Sequence, residues 1–205
     1  MSERLHATPA GPARSTTTEP PGADVGTLVL GHGAGGLRWT DDVTAVRDAA
    51  VADGWRVALV DQPWRVAGKR IGPAPATLDL AWAAVLADLA PGGVLVVGGR
   101  SAGARVACRT AADVGAAAVL ALSFPLHPPG RPERSRAEEL ARPASAGLAV
   151  HVVQGSTDPF GTPAEVRAVL PAGASLAEVA GPHSLERSAR AVAAAALTAL
   201  GTLGG

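Results

Sequence analysis

A single cysteine, Cys108, stands in the 205 residues, so no internal disulfide can form and nothing points to a secreted scaffold stapled by bridges. Net charge is equally absent. Eighteen basic residues meet eighteen acidic ones, which removes the broad electrostatic case for nucleic acid or an anionic membrane as the main partner. No apolar run approaches the ~18 residues that a spanning helix needs. Five scattered histidines and one cysteine show no metal-ligand spacing, and no cofactor is implied. Lysine is all but missing: Lys69 stands alone among seventeen arginines, which with the abundant alanine reflects a GC-rich genome more than function. What is present is apolar content, 47% against 18% charged, enough to fill a core and exclude wholesale disorder. The expectation is one cytoplasmic domain acting on a small molecule, with oligomeric state left open.

Residues 1–26 carry Pro, Gly, Ser and Thr with almost no apolar periodicity. They lack the 7–15-residue apolar region of a signal peptide and read as a disordered tail, with His6 solvated in it. From Thr27 onward short apolar runs recur, at 27–30, 56–60, 94–97, 118–122 and 150–153. Four are apolar at nearly every position, the pattern of strands buried on both faces of a parallel sheet. His151 interrupts the fifth and reads as a side chain satisfied near a sheet face. Between the runs, Leu78, Trp82, Val85 and Leu89 fall on one helical stripe, as do Leu185, Ala189, Val192, Ala196, Leu200 and Leu203. Thr162, Pro163 and Glu165 form a helix start, with a capping threonine, a first-turn proline and a capping-box glutamate. Strand and helix alternate throughout 27–205, which predicts an open, doubly wound, mostly parallel α/β sheet flanked by helices.

Sites in such sheets form beyond the carboxyl ends of the strands. After the third run stands Gly99-Arg100-Ser101-Ala102-Gly103, a G-x-S-x-G pattern between a strand and a helix. A nucleophile on that turn is forced toward positive φ, and the flanking glycines relieve the crowding. Serine alone is a poor nucleophile and needs a histidine base with an orienting carboxylate. Asp158 follows the fifth run and His183 the last short run, 174–180, in the chain order Ser101, Asp158, His183. They are the candidate catalytic residues. For the oxyanion, the amide of Ala102 lies at a helix N-terminus. The second candidate donor is Ala34 in the small-residue loop His32-Gly33-Ala34-Gly35-Gly36, with Gly33 or Gly35 as fallback and His32 holding the loop. Trp39, Trp64, Arg100, His127 and Phe160 follow strand ends and are candidates to line the substrate. Arg100, with Arg65, Arg131 and Arg134, suggests a positive rim selecting an acidic ester or lactone. Cys108 lies two turns beyond Ser101 on the same helix face and reads as a small core residue.

A dinucleotide-binding reading competes, since Gly31–Gly36 satisfies G-x-G-x-x-G and Asp61 ends the next strand. It leaves Ser101, Asp158 and His183 unexplained, and a stretch of Gly and Ala matches that pattern cheaply. A catalytically silent binding module on the same scaffold is the other alternative.

With these residues the sequence resembles the α/β-hydrolase superfamily. More closely it is similar to a small dienelactone-hydrolase-like group carrying H-G-A-G-G, G-G-[RK]-S-x-G and P-L-H-P-P-G-[RK]-P-E. Here these are His32–Gly36, Gly98–Gly103 and Pro125–Glu133, followed by Gln154-Gly155 through Gly161 and by Pro182-His183-Ser184. That group includes proteins associated with chromatin-modifying complexes and testis expression. One departure is Ala104, where the group often has a second glycine after the elbow. The resemblance implies an α/β-hydrolase fold over 27–203 with minimal or no cap, and a serine hydrolase site acting on a small ester, thioester or lactone. The helix-rich stretch 133–142 is the one segment long enough to serve as a lid.

Overall fold

Eight strands form one sheet in the order β1-β2-β4-β3-β5-β6-β7-β8 in a computed structural model that describes residues 1–203. The apolar runs become β3 (Gly26–Gly31), β4 (Trp55–Asp61), β5 (Leu95–Arg100), β6 (Ala118–Leu122) and β7 (Ala149–Gly155), with β8 (Ser175–Val179) at one edge. All six are mutually parallel. Each crossover therefore passes over a face and leaves a helix there. Helices α1 (Asp41–Ala52) and α7 (Ala189–Gly201) cover one face, where Val43, Val46, Val192 and Leu200 meet Leu28, Leu30, Leu59 and Leu120. On the other face lie α3 (Pro75–Leu89), α4 (Ala102–Thr110), α5 (Ala137–Ser145) and α6 (Pro163–Val169). There Trp82, Val85, Val106, Leu140 and Val166 pack on Val29, Val97, Val119 and Val152. The short α2 (Pro63–Val66) follows β4. The predicted capping box of α6 is present in full, with Thr162 and Glu165 satisfying each other's backbone N–H groups.

The first 26 residues are not the disordered tail that their composition predicts. Strands β1 (Ser2–His6) and β2 (Ala13–Thr18) form an antiparallel hairpin, and β2 pairs antiparallel with β4 from Arg14 opposite Asp61 to Thr18 opposite Val57. A strand at a sheet edge is held by backbone bonds to its neighbour and can do without an apolar face. Ala13 and Ser15 alternate into the interior, while the β-branched run Thr16–Thr18 suits a half-buried pleat. His6 is likewise not solvated. It is buried, with Nδ1 2.6 Å from Asp88 Oδ2 on α3 and Nε2 2.8 Å from Ser15 Oγ.

The stretch 133–142 is no lid. Leu140 of α5 is fully buried, and Glu139 accepts bonds from Arg105 and Arg109 of α4. The segment thus belongs to the helical layer, and the carboxyl edge of the sheet carries no cap. Among the described residues no helix is long and apolar enough to cross a membrane, and no cluster of metal-ligating side chains is found.

Candidate active site

Ser101 caps α4 immediately after β5 with φ 53° and ψ −107°, a backbone conformation that costs a residue with a Cβ about 1–3 kcal/mol and persists only where the surroundings enforce it. The enforcement is visible in the packing. Gly99 has φ +150°, and a Cβ there would overlap the backbone of Gly31 at the end of β3; one on Gly103 would do the same from the first turn of α4. Two glycines therefore let the elbow close onto β3, and the serine hydroxyl is left standing above the sheet.

The loops after β7 and β8 bring the partners to it. Thr157 N donates to Gly181 O at 3.0 Å and Gly181 N to Ser156 Oγ at 3.3 Å, so the two loops are tied to each other. His183 Nδ1 lies 2.8 Å from Asp158 Oδ2, and His183 Nε2 lies 2.9 Å from Ser101 Oγ. Asp158 is fully buried. Its Oδ1 accepts from Phe160 N at 2.8 Å and its Oδ2 from Gln154 Nε2 at 2.9 Å. Three donors thus meet a carboxylate that can only accept, which makes Nδ1 of His183 the protonated nitrogen and leaves Nε2 free to accept from the serine. Phe160 stacks on the imidazole, ring centroids 4.2 Å apart.

Gln154 and the Pro125–Glu133 motif brace this arrangement. Besides Asp158, Gln154 Nε2 reaches Phe124 O and Gly161 O. His127 N donates to Phe160 O at 3.0 Å, and His127 Nδ1 to Pro128 O at 2.9 Å. His127 thus packs behind the acid loop. In the sequence, Gln154 is marked only as the amide that follows the run at 150–153.

The small-residue loop after β3 lies against Ser101: a Cβ on Gly33 would stand 3.6 Å from Ser101 Cβ. His32 anchors the loop. Its Nδ1–H donates to Gly33 O at 2.8 Å, while Nε2 accepts from Gln62 N at 3.1 Å. Burial pushes its pKa down to about 4, so the ring is neutral and keeps the tautomer those bonds require. Trp39 and Trp64 pack on this ring at centroid distances of 5.8 and 5.2 Å.

Of the four arginines expected at a positive rim, Arg131 and Arg134 are exposed, whereas Arg100 and Arg65 are committed elsewhere. Arg100 has its side chain only 12% exposed, with Nε 3.3 Å from the buried Asp42 Oδ2 and Nη2 donating to His183 O at 3.0 Å. Arg65 is buried 3.3 Å from Asp61 Oδ1 and lies over the Trp39 ring. Arg14 donates twice to Asp61 Oδ2, so the acid that a dinucleotide reading would give to a ribose is already held by two guanidiniums. Cys108 is buried in the core, as its position predicts, and burial pushes its thiol up to about 12, far from a reactive thiolate.

Beside the elbow, a cavity of about 430 Å³ is lined by Ala34, Ala102, Trp64, Ile71, Leu78 and Val106, together with Arg105 and Arg109. Of the five candidates to line the substrate, Trp64 faces this cavity. Trp39, Arg100, His127 and Phe160 instead contact the loops that carry the site.

A family model described as an alpha/beta hydrolase domain matches residues 24–196. Among solved structures, the chain is similar to an alpha-beta serine hydrolase homologue from Coxiella burnetii, at TM-score 0.79 and 19% identity over 97% of both chains. It is also similar to a lidless serine hydrolase from Xanthomonas campestris, at TM-score 0.74 and 19% identity, covering 98% of this chain and 94% of that one. A third is Est1E from Butyrivibrio proteoclasticus, at TM-score 0.74 and 14% identity, covering 98% and 100%. No curated protein matches the sequence.

Proposed function

The chain belongs to the alpha/beta hydrolase domain family, and from that premise we propose that it is a serine hydrolase that cleaves a small ester, thioester or lactone through an acyl-enzyme. The observation that carries this reading is the continuous hydrogen-bonded chain from Ser101 Oγ through His183 to Asp158. Ser101 Oγ attacks the carbonyl carbon while its proton passes to His183 Nε2. Asp158 holds the tautomer and stabilises the imidazolium. The carbonyl oxygen becomes an oxyanion facing the amides of Ala102 and Ala34. Losing one such donor typically lowers turnover by about 10²–10³. Collapse breaks the bond to the leaving group, which takes the proton from His183. A water then repeats the sequence, and the acid leaves with Ser101 restored. The narrower likeness to dienelactone-hydrolase-like proteins rests on the three motifs around His32, Ser101 and His127.

The test is a fluorophosphonate probe with mass spectrometry, followed by a panel of esters, thioesters and lactones. Labelling of Ser101, lost in Ser101→Ala together with all turnover, is the expected result. Turnover that survives Ser101→Ala or His183→Ala overturns the reading.

A further inference from the structure

Given that acyl-transfer reading, on which the inference rests, we infer that the acyl part of the substrate is uncharged and apolar and is held in the cavity between α3, α4 and the loop at 70–73. Position comes first. Ala34 and Ala102 both line the cavity, so a carbonyl whose oxygen faces their amides directs one substituent into it. The walls come next. Trp64, Ile71, Leu78 and Val106 offer carbon surface, and about 430 Å³ is an ordinary size for a small-molecule site.

Charge decides against an acidic acyl group. Arg105 donates from Nε and Nη2 to Glu139 at 2.8 and 2.7 Å. Arg109 grips Asp79 through Nε and Nη2 at 2.8 and 2.7 Å and reaches Glu139 through Nη1 at 2.9 Å. The two lining guanidiniums are thus paired with two carboxylates, each through its Nε–Nη2 fork. Burial alone would raise the Glu139 carboxyl, but Arg105 and Arg109 together hold it below its usual range, so it stays charged and the wall stays neutral in sum. An entering carboxylate would lose its hydration and meet guanidiniums whose charge Glu139 and Asp79 already offset. Arg70 lies at the mouth, exposed to water, where screening weakens its pull. Arg100 and Arg65, the arginines nearest the nucleophile and its loop, are turned to Asp42 and Asp61.

The experiment compares p-nitrophenyl acetate, butyrate and hexanoate with an anionic dicarboxylic half-ester of matched length. Each methylene is expected to raise kcat/KM about three- to fourfold, the equivalent of ~0.8 kcal/mol, and the anionic ester to react at least tenfold more slowly than its neutral counterpart. Leu78→Trp, which fills the cavity, should lower the hexanoate-to-acetate ratio. Because that variant can fail to fold, inactivation of the wild type by short- and long-chain alkyl fluorophosphonates gives the same comparison without a mutation. Labelling of Ser101 with no chain-length dependence, or a preference for the anionic ester, overturns the inference and leaves the hydrolase reading standing. Absence of labelling at Ser101 removes that reading, and the inference with it.

Discussion

Asp42, in the first turn of α1, lies fully buried with its Oδ2 3.3 Å from Nε of Arg100, the residue immediately before Ser101. The same guanidinium donates to the carbonyl of His183. One side chain therefore joins the elbow, the far helix and the base loop, and it acts by positioning. Stranding a buried carboxylate costs about 3–5 kcal/mol, so Arg100→Ala should destabilise the protein strongly. Adding Asp42→Asn should restore most of the stability. Turnover should remain about 10–100-fold low in the double variant, because a misplaced base loses near-attack geometry. Urea unfolding and ester kinetics on both variants check this. The ratio of anionic to neutral ester rates should be unchanged; a selective loss on anionic esters would return Arg100 to a substrate-binding role.

A second serine–histidine–aspartate chain exists at the β1–β2 edge of the sheet, where Ser15, His6 and Asp88 are linked at 2.8 and 2.6 Å. It lacks the rest of the apparatus. Ser15 sits in a paired strand, between Arg4 on β1 and Val60 on β2's other neighbour, β4, with no helix N-terminus behind it. Its role is to fasten the hairpin onto α3. Fluorophosphonate should therefore modify Ser101 and leave Ser15 untouched. His6→Ala should cost about 1–3 kcal/mol in stability while esterase turnover stays at the wild-type level. A Ser15 adduct on peptide mapping would contradict this.

His32 makes the small-residue loop after β3 sensitive to acid. Its folded pKa, about 4, lies below the ordinary value of 6.5 because the ring is buried. Between those values the unfolded chain holds the extra proton, so stability falls as pH drops from about 6.5 to about 4 and is level outside that window. The whole step is on the order of 3 kcal/mol. His32→Gln cannot take up the proton, so its stability deficit relative to wild type should shrink from pH 7 to pH 4.5 in urea titrations. A deficit that does not change with pH would mean the ring is not buried neutral.

Much of this was legible along the chain because parallel strands buried on both faces are written as plain apolar runs, and because Gly99, Ser101 and Gly103 stand at the end of one of them. The hairpin at 2–18 was not legible. Its partner is the edge of β4, and backbone pairing to an edge leaves little mark on side-chain polarity. His6 and Arg100 were misplaced for a related reason: each is a polar side chain whose partner, Asp88 or Asp42, lies more than fifty residues away.

Local order and chemical identity belong to the sequence: which runs become strands, where the elbow falls, and which hydroxyl, imidazole and carboxylate stand at strand ends. Convergence belongs to the tertiary structure. Only the crossing of β5, β7 and β8 in one sheet brings residues 101, 158 and 183 within hydrogen-bond reach, and only side-chain packing determines whether an arginine faces a substrate or a buried aspartate. Spacing along a chain says nothing of direction in space, and charges in a low-dielectric interior pair with whatever the fold sets beside them.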